Sequence, residues 1–508
     1  MKKKSIVTST LQVSAALFFI KILGVLKQAL IAAICGATAE TDAYFVATGV
    51  TVALCSVIFS SVSISLLSMH TERLISRGRE SSNNLINAVL HVFVPISIGI
   101  ALFFAVCAPI VAKFLAPSYR GDQLQTLSNY IRVMSVMFVF TCYYLIVNVV
   151  LETDKRFLPG KGQSFLQNLF ICIAAVAFYP RFGMPALIYA FLLAGVVQCV
   201  QITWNARHEF HFLGRVDSEK TAVRRLLQLA LPLLVGNAIY EINDIVDKQI
   251  ATGLGHGNVS YLSYGASINE IVTTLIIQSV STVLFSHYAT WVAEGQHEKV
   301  GDNLKKSIEY LVVLIMPVMV MCFVCGDCIV DILYGRGNFD SSAVTMTTSV
   351  VFGYAAGFLF QATRANLVRV YYAFQNTKTP MVNGAISIAT NVTLSILLSK
   401  VIGVGGIALA TSIAMLLVTV LLMPGVKKYI PGFSLRSSLP EYVKAIGAAI
   451  VIGVAAFLLR RALPFGTFFS FVIIGIFTVL AYVGVAFLLK IQAIKVITGS
   501  VMSRVKRS

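Results

Sequence analysis

Charged side chains interrupt stretches of this chain that are otherwise apolar for about twenty residues, the length of a membrane-crossing helix. Six are cations, Lys21, Lys27, Arg132, Lys248, Arg364 and Arg369, and the acids are Asp42, Glu241, Asp244, Asp247 and Glu270. An ionisable group in an apolar span is costly and faces a partner, a cavity or the interface. Lys21 lies near the middle of its stretch and is the hardest to extend to the headgroups. Lys27 falls about 240° further round the same helix, so the two ammoniums flank a wide cavity or one of them pairs with Asp42. Arg132 and Arg369 lie nearer helix ends, from which long side chains reach the interface. Arg364 is deeper and is expected to face the interior.

The seventh stretch is the densest. Glu241, Asp244, Asp247 and Lys248 fall within an arc of roughly 120° on a helix. Asp244 and Lys248 stand four apart in the favourable order, which reads as a structural ion pair. Three acids against one base also leave carboxylates to hold a coupling cation, sodium or a proton, at Asp244 or Asp247. Glu270 is the other deep acid and can neutralise a cation from the first half. Lysine and arginine suit an anionic headgroup such as a pyrophosphate. No pattern for bond-breaking chemistry accompanies them: there is no HExxH, no Gly-rich phosphate loop and no Ser/His/Asp set. Cys325-Gly326-Asp327-Cys328 has redox or metal spacing but no second pair, and its cysteines read as packing residues. The chain is therefore expected to bind and move a ligand, not to be an enzyme, with no cofactor beyond a coupling ion.

The elements that must position these groups are helices. Of 508 residues, 57% are hydrophobic and 12% charged, and the mean hydropathy is +0.82. Soluble domains carry about 25% charged residues. Without water every backbone group must be paired within the chain, which favours helices, and the period-two alternation of a membrane barrel is absent. Hydropathy places about 14 transmembrane helices near 8–34, 42–69, 86–112, 127–152, 164–180, 184–204, 226–252 and 259–290, then 307–332, 343–373, 381–399, 405–424, 443–460 and 467–489. The first is too long for a cleavable signal peptide and lacks a small-residue cleavage site.

The formal charge of +18 is an orientation signal. With both termini in the cytoplasm, 27 of the 40 Lys and Arg fall in cytoplasmic segments and 7 on the opposite side. That is the positive-inside asymmetry. No basic face alternates with stacking aromatics, so nucleic acid is not an expected partner. Membrane lipid is.

The chain also repeats itself. Lys27-Gln28 recurs as Lys248-Gln249, Tyr44 as Tyr264 and Pro95 as Pro317. The stretch from Thr153 to Pro159 recurs as Asn376 to Pro380, and Gly183 to Leu187 as Gly403 to Ile407, all at offsets of 220 to 222 residues. Two six-helix repeats follow, inserted the same way round because each holds an even number of helices. Parallel repeats place a substrate site at their interface. The expected division is an N-terminal lobe over 1–204, a cytoplasmic linker over 205–225, a C-terminal lobe over 226–424, and two extra C-terminal helices with a basic tail over 425–508.

On several short stretches the sequence resembles the MurJ (MviN) family of lipid II flippases, within the multidrug/oligosaccharidyl-lipid/polysaccharide superfamily. They are Lys21 to Gln28, Gly36 with Thr41 to Ala47, Asp247-Lys248 with Ala251, Leu333 to Phe339, Tyr371 to Ala373 with Thr377 to Pro380, and Gly405 to Ala410. The resemblance runs over nearly the whole chain. It implies an all-α polytopic protein of the bacterial cytoplasmic (inner) membrane, a V-shaped two-lobe bundle that alternates between inward and outward openings. The implied cargo is an undecaprenyl-pyrophosphate-linked glycan, with lipid II foremost, whose lipid tail rides a groove lined by the two extra helices. The implied headgroup contacts are Lys21, Lys27, Arg364, Glu270 and Asp42. The ion-coupling candidates are Asp244, Asp247, Glu241 and Lys248, and a monomer is expected to suffice. Lys21 and Lys27 stand where the family typically has arginine, and Gln28 where it has an acid. Further family arginines fall near Cys55-Ser56 and at Ser267, while Glu270 matches a family acid. A flippase for a capsule or exopolysaccharide unit and a cation-coupled multidrug exporter are the rival readings. A glycan polymerase would need a catalytic carboxylate in a larger external loop than this chain has.

Overall fold

A computed structural model of the protein describes residues 6–211, 220–491 and 493–494. The N-terminal lysines, residues 212–219 of the expected linker and the basic tail lie outside the described residues. Among those described, every regular element is a helix, as an apolar chain that must pair its own backbone requires. The helices divide into two compact units, one holding the chain to Ser260 together with Arg336–Phe339, the other holding Tyr261–Gly335 and the chain from Asp340 onward.

In the first unit, α1 (Ile6–Cys35) is followed by α2 (Ala39–Cys55), which runs through a π-helical turn at Ser56–Ser60 into α3 (Ser61–Val106). Gly78 breaks α3 with φ 80° and ψ −179°, a backbone state that glycine adopts without steric cost. Helix α4 (Ala108–Leu115) leads to α5 (Gly121–Met134) and α6 (Met137–Thr153). Then come α7 (Gly162–Ala177), the single turn α8 (Tyr179–Phe182), α9 (Pro185–Ala206) and α10 (Lys220–Thr252). Phe59, Leu66, Leu85, Val89, Phe138 and Tyr144 anchor a core shared by α3, α6 and the π turn. Around the Gly78 elbow, Arg79 holds Asp154 through two nitrogens at 2.8 Å each, and Arg156 holds Glu209 at 2.7 Å.

Helix α11 (Asn258–Val272) starts in the first unit and passes through a second π turn, Thr273–Gln278, into α12 (Ser279–Ala293). The second unit continues with α13 (His297–Tyr334), α14 (Ser341–Ala355), α15 (Phe358–Ala373), α16 (Lys378–Ile402) and α17 (Val404–Tyr429). It closes with α18 (Leu439–Ala462) and α19 (Thr467–Leu488), which pack on α13. Val312, Met316, Leu367, Tyr371, Val418 and Tyr482 are among its core side chains.

The duplication is written in local backbone geometry. Gly183 has φ 64° and ψ −154° before α9, and Gly403, its repeat partner, has φ 62° and ψ −147° before α17. Lys155 and Gln375, both non-glycine residues at positive φ (60° and 57°), occupy matching turns. The α5–α6 break at Ser135 recurs as the α14–α15 break at Ala356. The two π turns occupy the same place in their repeats.

Ten helices among the described residues are long and apolar enough to cross a membrane, or eleven if the pair α14 and α15, bent by 42°, is one span. That is fewer than the fourteen expected from hydropathy, for physical reasons. The 68-residue stretch Ala39–Val106 counts as one candidate, yet at 1.5 Å per residue it would measure about 100 Å against a core of about 30 Å. The Gly78 break folds it into two passes. The fifth and eighth expected spans are shorter pieces: α7 has 16 residues, and α11 and α12 have 15 each, separated by a π turn.

The units divide at Ser260, not in the 205–225 linker. Helix α10, the first span of the second repeat by sequence, packs against α2 and α3 and belongs to the first compact unit. Sequence descent and packing partition the chain at different points.

Candidate functional site

Helix α10 brings its charges against α2. The Lys248 ammonium donates to Asp244 Oδ2 at 2.7 Å and lies where a β-carbon on Gly49 would stand. A larger residue at 49 would make the Lys248 side chain shift. Two turns further along the same helix pair, Glu241 lies beside Ser56 at the π turn. Asn237 Nδ2 donates to Ser61 Oγ at 3.1 Å. Asp247 is buried and accepts from Asn243 Nδ2 at 3.1 Å. The expected Asp244–Lys248 pair is thus present, and Glu241 and Lys248 face the same neighbouring helix.

These donors bear on the coupling ion. A dehydrated cation needs several oxygens free to converge on it, but Asp244 carries an ammonium and Asp247 an amide. Among the described residues no group of three or more His, Cys, Asp or Glu side chains is arranged to hold a metal ion. Paired in this way, the α10 row does not fit a cation cage.

Lys21 and Lys27 are both half-buried on α1. Between them Gly24 faces α7, where a β-carbon would make ordinary contact with Asn168 Nδ2 at 3.4 Å, and the Asn168 amide donates to the Ile20 carbonyl at 3.4 Å. At 100° per residue the two lysines stand about 60° to either side of Gly24, so they straddle the α1–α7 seam.

Asp42 has a different task from the one expected. It is fully buried, and its carboxylate accepts from the Gly257 N–H at 2.6 Å, the Ser260 N–H at 2.8 Å and the Ser260 hydroxyl at 2.6 Å. It closes the start of α11, whose unpaired N–H groups and dipole favour a carboxylate. Neither lysine is its partner in these bonds.

In the second unit, Thr273 Oγ1, the first residue of the π turn, donates to Gln361 Oε1 on α15 at 2.9 Å. Arg364 lies one turn beyond Gln361 and is half-buried, while Glu270 on α11 is exposed. Arg369 sits over the Phe285 ring at 5.2 Å, and Arg132 is exposed, bonded to Asn129 Oδ1 at 3.0 Å and to the Ala105 carbonyl at 3.2 Å. Cys325 and Cys328 are buried packing residues, and the intervening Asp327 pairs with Arg460 of α18. A groove of about 460 Å3 runs between α13, α15 and α18, lined by apolar side chains including Met316, Phe323, Leu359, Ile450 and Phe457.

Sequence reasoning missed the two π turns, the Asn237–Ser61 bond and the Asp327–Arg460 pair. The first has no composition signature. A charged residue at the end of each of two spans was the available signal for the last.

A helical bundle of membrane-spanning length, built on a repeated unit and holding cations and a compensated acid row in its spans, has the character of a transporter. Its family follows from comparison with known proteins. The model of the lipid II flippase MurJ family matches residues 31–477, and the chain belongs to that family. It is similar to the probable lipid II flippase MurJ of Bdellovibrio bacteriovorus, 26% identical over 391 residues that cover 74% of this chain and 72% of the relative. The corresponding protein of Thermotoga maritima is 24% identical over 515 residues, covering 97% and 98%. A solved structure of lipid II flippase MurJ in an inward closed conformation shares the fold, with a TM-score of 0.81 at 22% identity over 93% of this chain and 97% of that one.

Proposed function

We propose that this protein is a transporter that carries lipid II, an undecaprenyl-pyrophosphate-linked glycan, from the inner to the outer leaflet of the bacterial cytoplasmic membrane by alternating access, for cell-wall synthesis. The observation that carries the reading is membership of the MurJ family across residues 31–477. The structure supports it with chemistry suited to the cargo. Lys21 and Lys27 are held half-buried on α1, where an ammonium can engage a pyrophosphate as a point charge. Arg364 and Glu270 are the further headgroup contacts. The apolar groove beside α18 has the character an isoprenoid tail requires, since burying such a chain gains about 0.8 kcal/mol per methylene. Both termini are cytoplasmic in this reading, and a monomer is the working unit.

Complementation tests it. In cells depleted of their own lipid II flippase, expression of this chain restores growth and the exposure of lipid II on the outer leaflet. Confirmed membrane expression without either outcome would overturn the assignment.

A further inference from the structure

Within the first unit, α2, α6, α7 and α9 enclose a pocket of about 260 Å3 beside the Ser56–Ser60 π turn. Thr51, Ser56, Ser60, Thr141, Gln163 and Gln167 supply hydroxyl and amide groups to its wall, and none of its lining residues carries a charge. Ser164 completes its rim from the first turn of α7 and is exposed. Among the described residues, no hydrogen bond ties the side chain of Gln163, Ser164 or Gln167 to a protein partner. π turns are frequent at functional sites, and this one supplies Ser56 and Ser60 to the wall.

We infer that this pocket is a subsite for one uncharged, hydroxyl-bearing sugar ring of the transported glycan. An inference of this kind rests on the flippase reading. Neutral hydroxyls and amides, each able to donate or accept, match a ring whose substituents are themselves hydroxyls and amides. They offer nothing to a pyrophosphate, which the lysines of α1 serve. Val52, Leu145 and Met137 provide apolar wall for the C–H face of such a ring. The volume lies just under the roughly 300–1,000 Å3 of sites for drug-sized ligands, so one ring fits and the whole disaccharide-peptide headgroup does not. Residues Gln163 and Ser164 stand directly after the basic loop Lys155–Lys161, which the charge asymmetry assigns to the cytoplasmic face. The pocket is therefore on the side from which the substrate loads.

The test compares two probes on the purified full-length protein, lipid II and undecaprenyl pyrophosphate, which lacks sugar. Wild type is expected to bind lipid II more tightly. Gln167→Leu and Ser164→Phe, the second at an exposed rim position that tolerates bulk, are expected to weaken lipid II binding five- to tenfold and leave undecaprenyl pyrophosphate unchanged. Lys27→Ala weakens both. Equal binding of the two probes by wild type, or equal losses on both probes for the pocket variants, would overturn the subsite while leaving the flippase reading intact. Binding of neither probe by wild type would overturn both. Unaltered melting temperatures separate a lost contact from a lost fold.

Discussion

At the scale of single residues, one buried charge ties distant segments together, and two cations carry the proposed contact with the headgroup. Asp42 is the buried charge. Its three bonds reach residues more than 210 positions away, and removing the carboxylate strands two buried N–H donors and a hydroxyl. Each buried donor left unpaired costs about 1–3 kcal/mol. Asp42→Ala is therefore expected to lower thermal stability in detergent markedly, and an unchanged melting temperature would refute this role. Lys21 and Lys27, half-buried on α1, are the proposed headgroup contacts. A charge-assisted bond contributes about 1.5–3 kcal/mol, so Lys27→Ala and Lys21→Ala should each reduce lipid II flipping by about tenfold or more. The arginine variants should retain part of the activity, because the charge persists while its geometry changes. Full flipping by both alanine variants, measured as lipid II exposed on the outer leaflet, would remove the lysines from the site.

At the scale of elements, glycines mark where helices meet or turn. The segment Arg336–Phe339 rests on the end of α1, with the Asn338 N–H donating to Ala33 O at 2.8 Å and its side-chain amide to Ile34 O at 2.6 Å. Gly337, at φ 61°, leaves no room for a β-carbon beside the Ala33 carbonyl, and one on Gly36 would stand 2.6 Å from Asn338 O. Gly78, at φ 80°, has open space where its β-carbon would be. Alanine at Gly78 should cost only the strain of its positive-φ extended backbone, about 1–3 kcal/mol. Alanine at Gly337 should cost more, since backbone must also move, and melting curves that rank the two the other way would contradict the packing. These contrasts also show what the sequence could carry. The repeat, the spanning character and the Asp244–Lys248 pair were legible because offsets, hydropathy and i,i+4 spacing are local or periodic. Asp42's partners, the Asp327–Arg460 pair and the division at Ser260 depend on which helices pack together. The π turns depend on how neighbouring helices force an extra residue into the ladder, and no residue type announces that.

For the whole molecule, the distribution of charge decides which way the chain faces the membrane. The repeat geometry requires that matching turns lie on one side: Lys155 and Gln375 share a left-handed conformation, as do Gly183 and Gly403. Loops that precede α7 and α16 are thus equivalent, and so are those that precede α9 and α17. Together the first pair carries Lys155, Arg156, Lys161 and Lys378 against Arg181 and Lys400 for the second, and with Lys155–Lys161 cytoplasmic the positive-inside bias assigns the two pairs to opposite faces. A fluorescent protein fused after Ser508 should glow, and alkaline phosphatase fused after Lys155 or Gln375 should be inactive, because both ends report the cytoplasm. The same phosphatase fused after Gly183 or Gly337 should be active. Gly337 is the stringent position, since its segment joins α13 to α14 yet packs with the first unit. Activity after Lys155 together with inactivity after Gly337 would invert the orientation. The sugar pocket at the start of α7 would then lie at the releasing face, and the direction of transport would have to be argued anew.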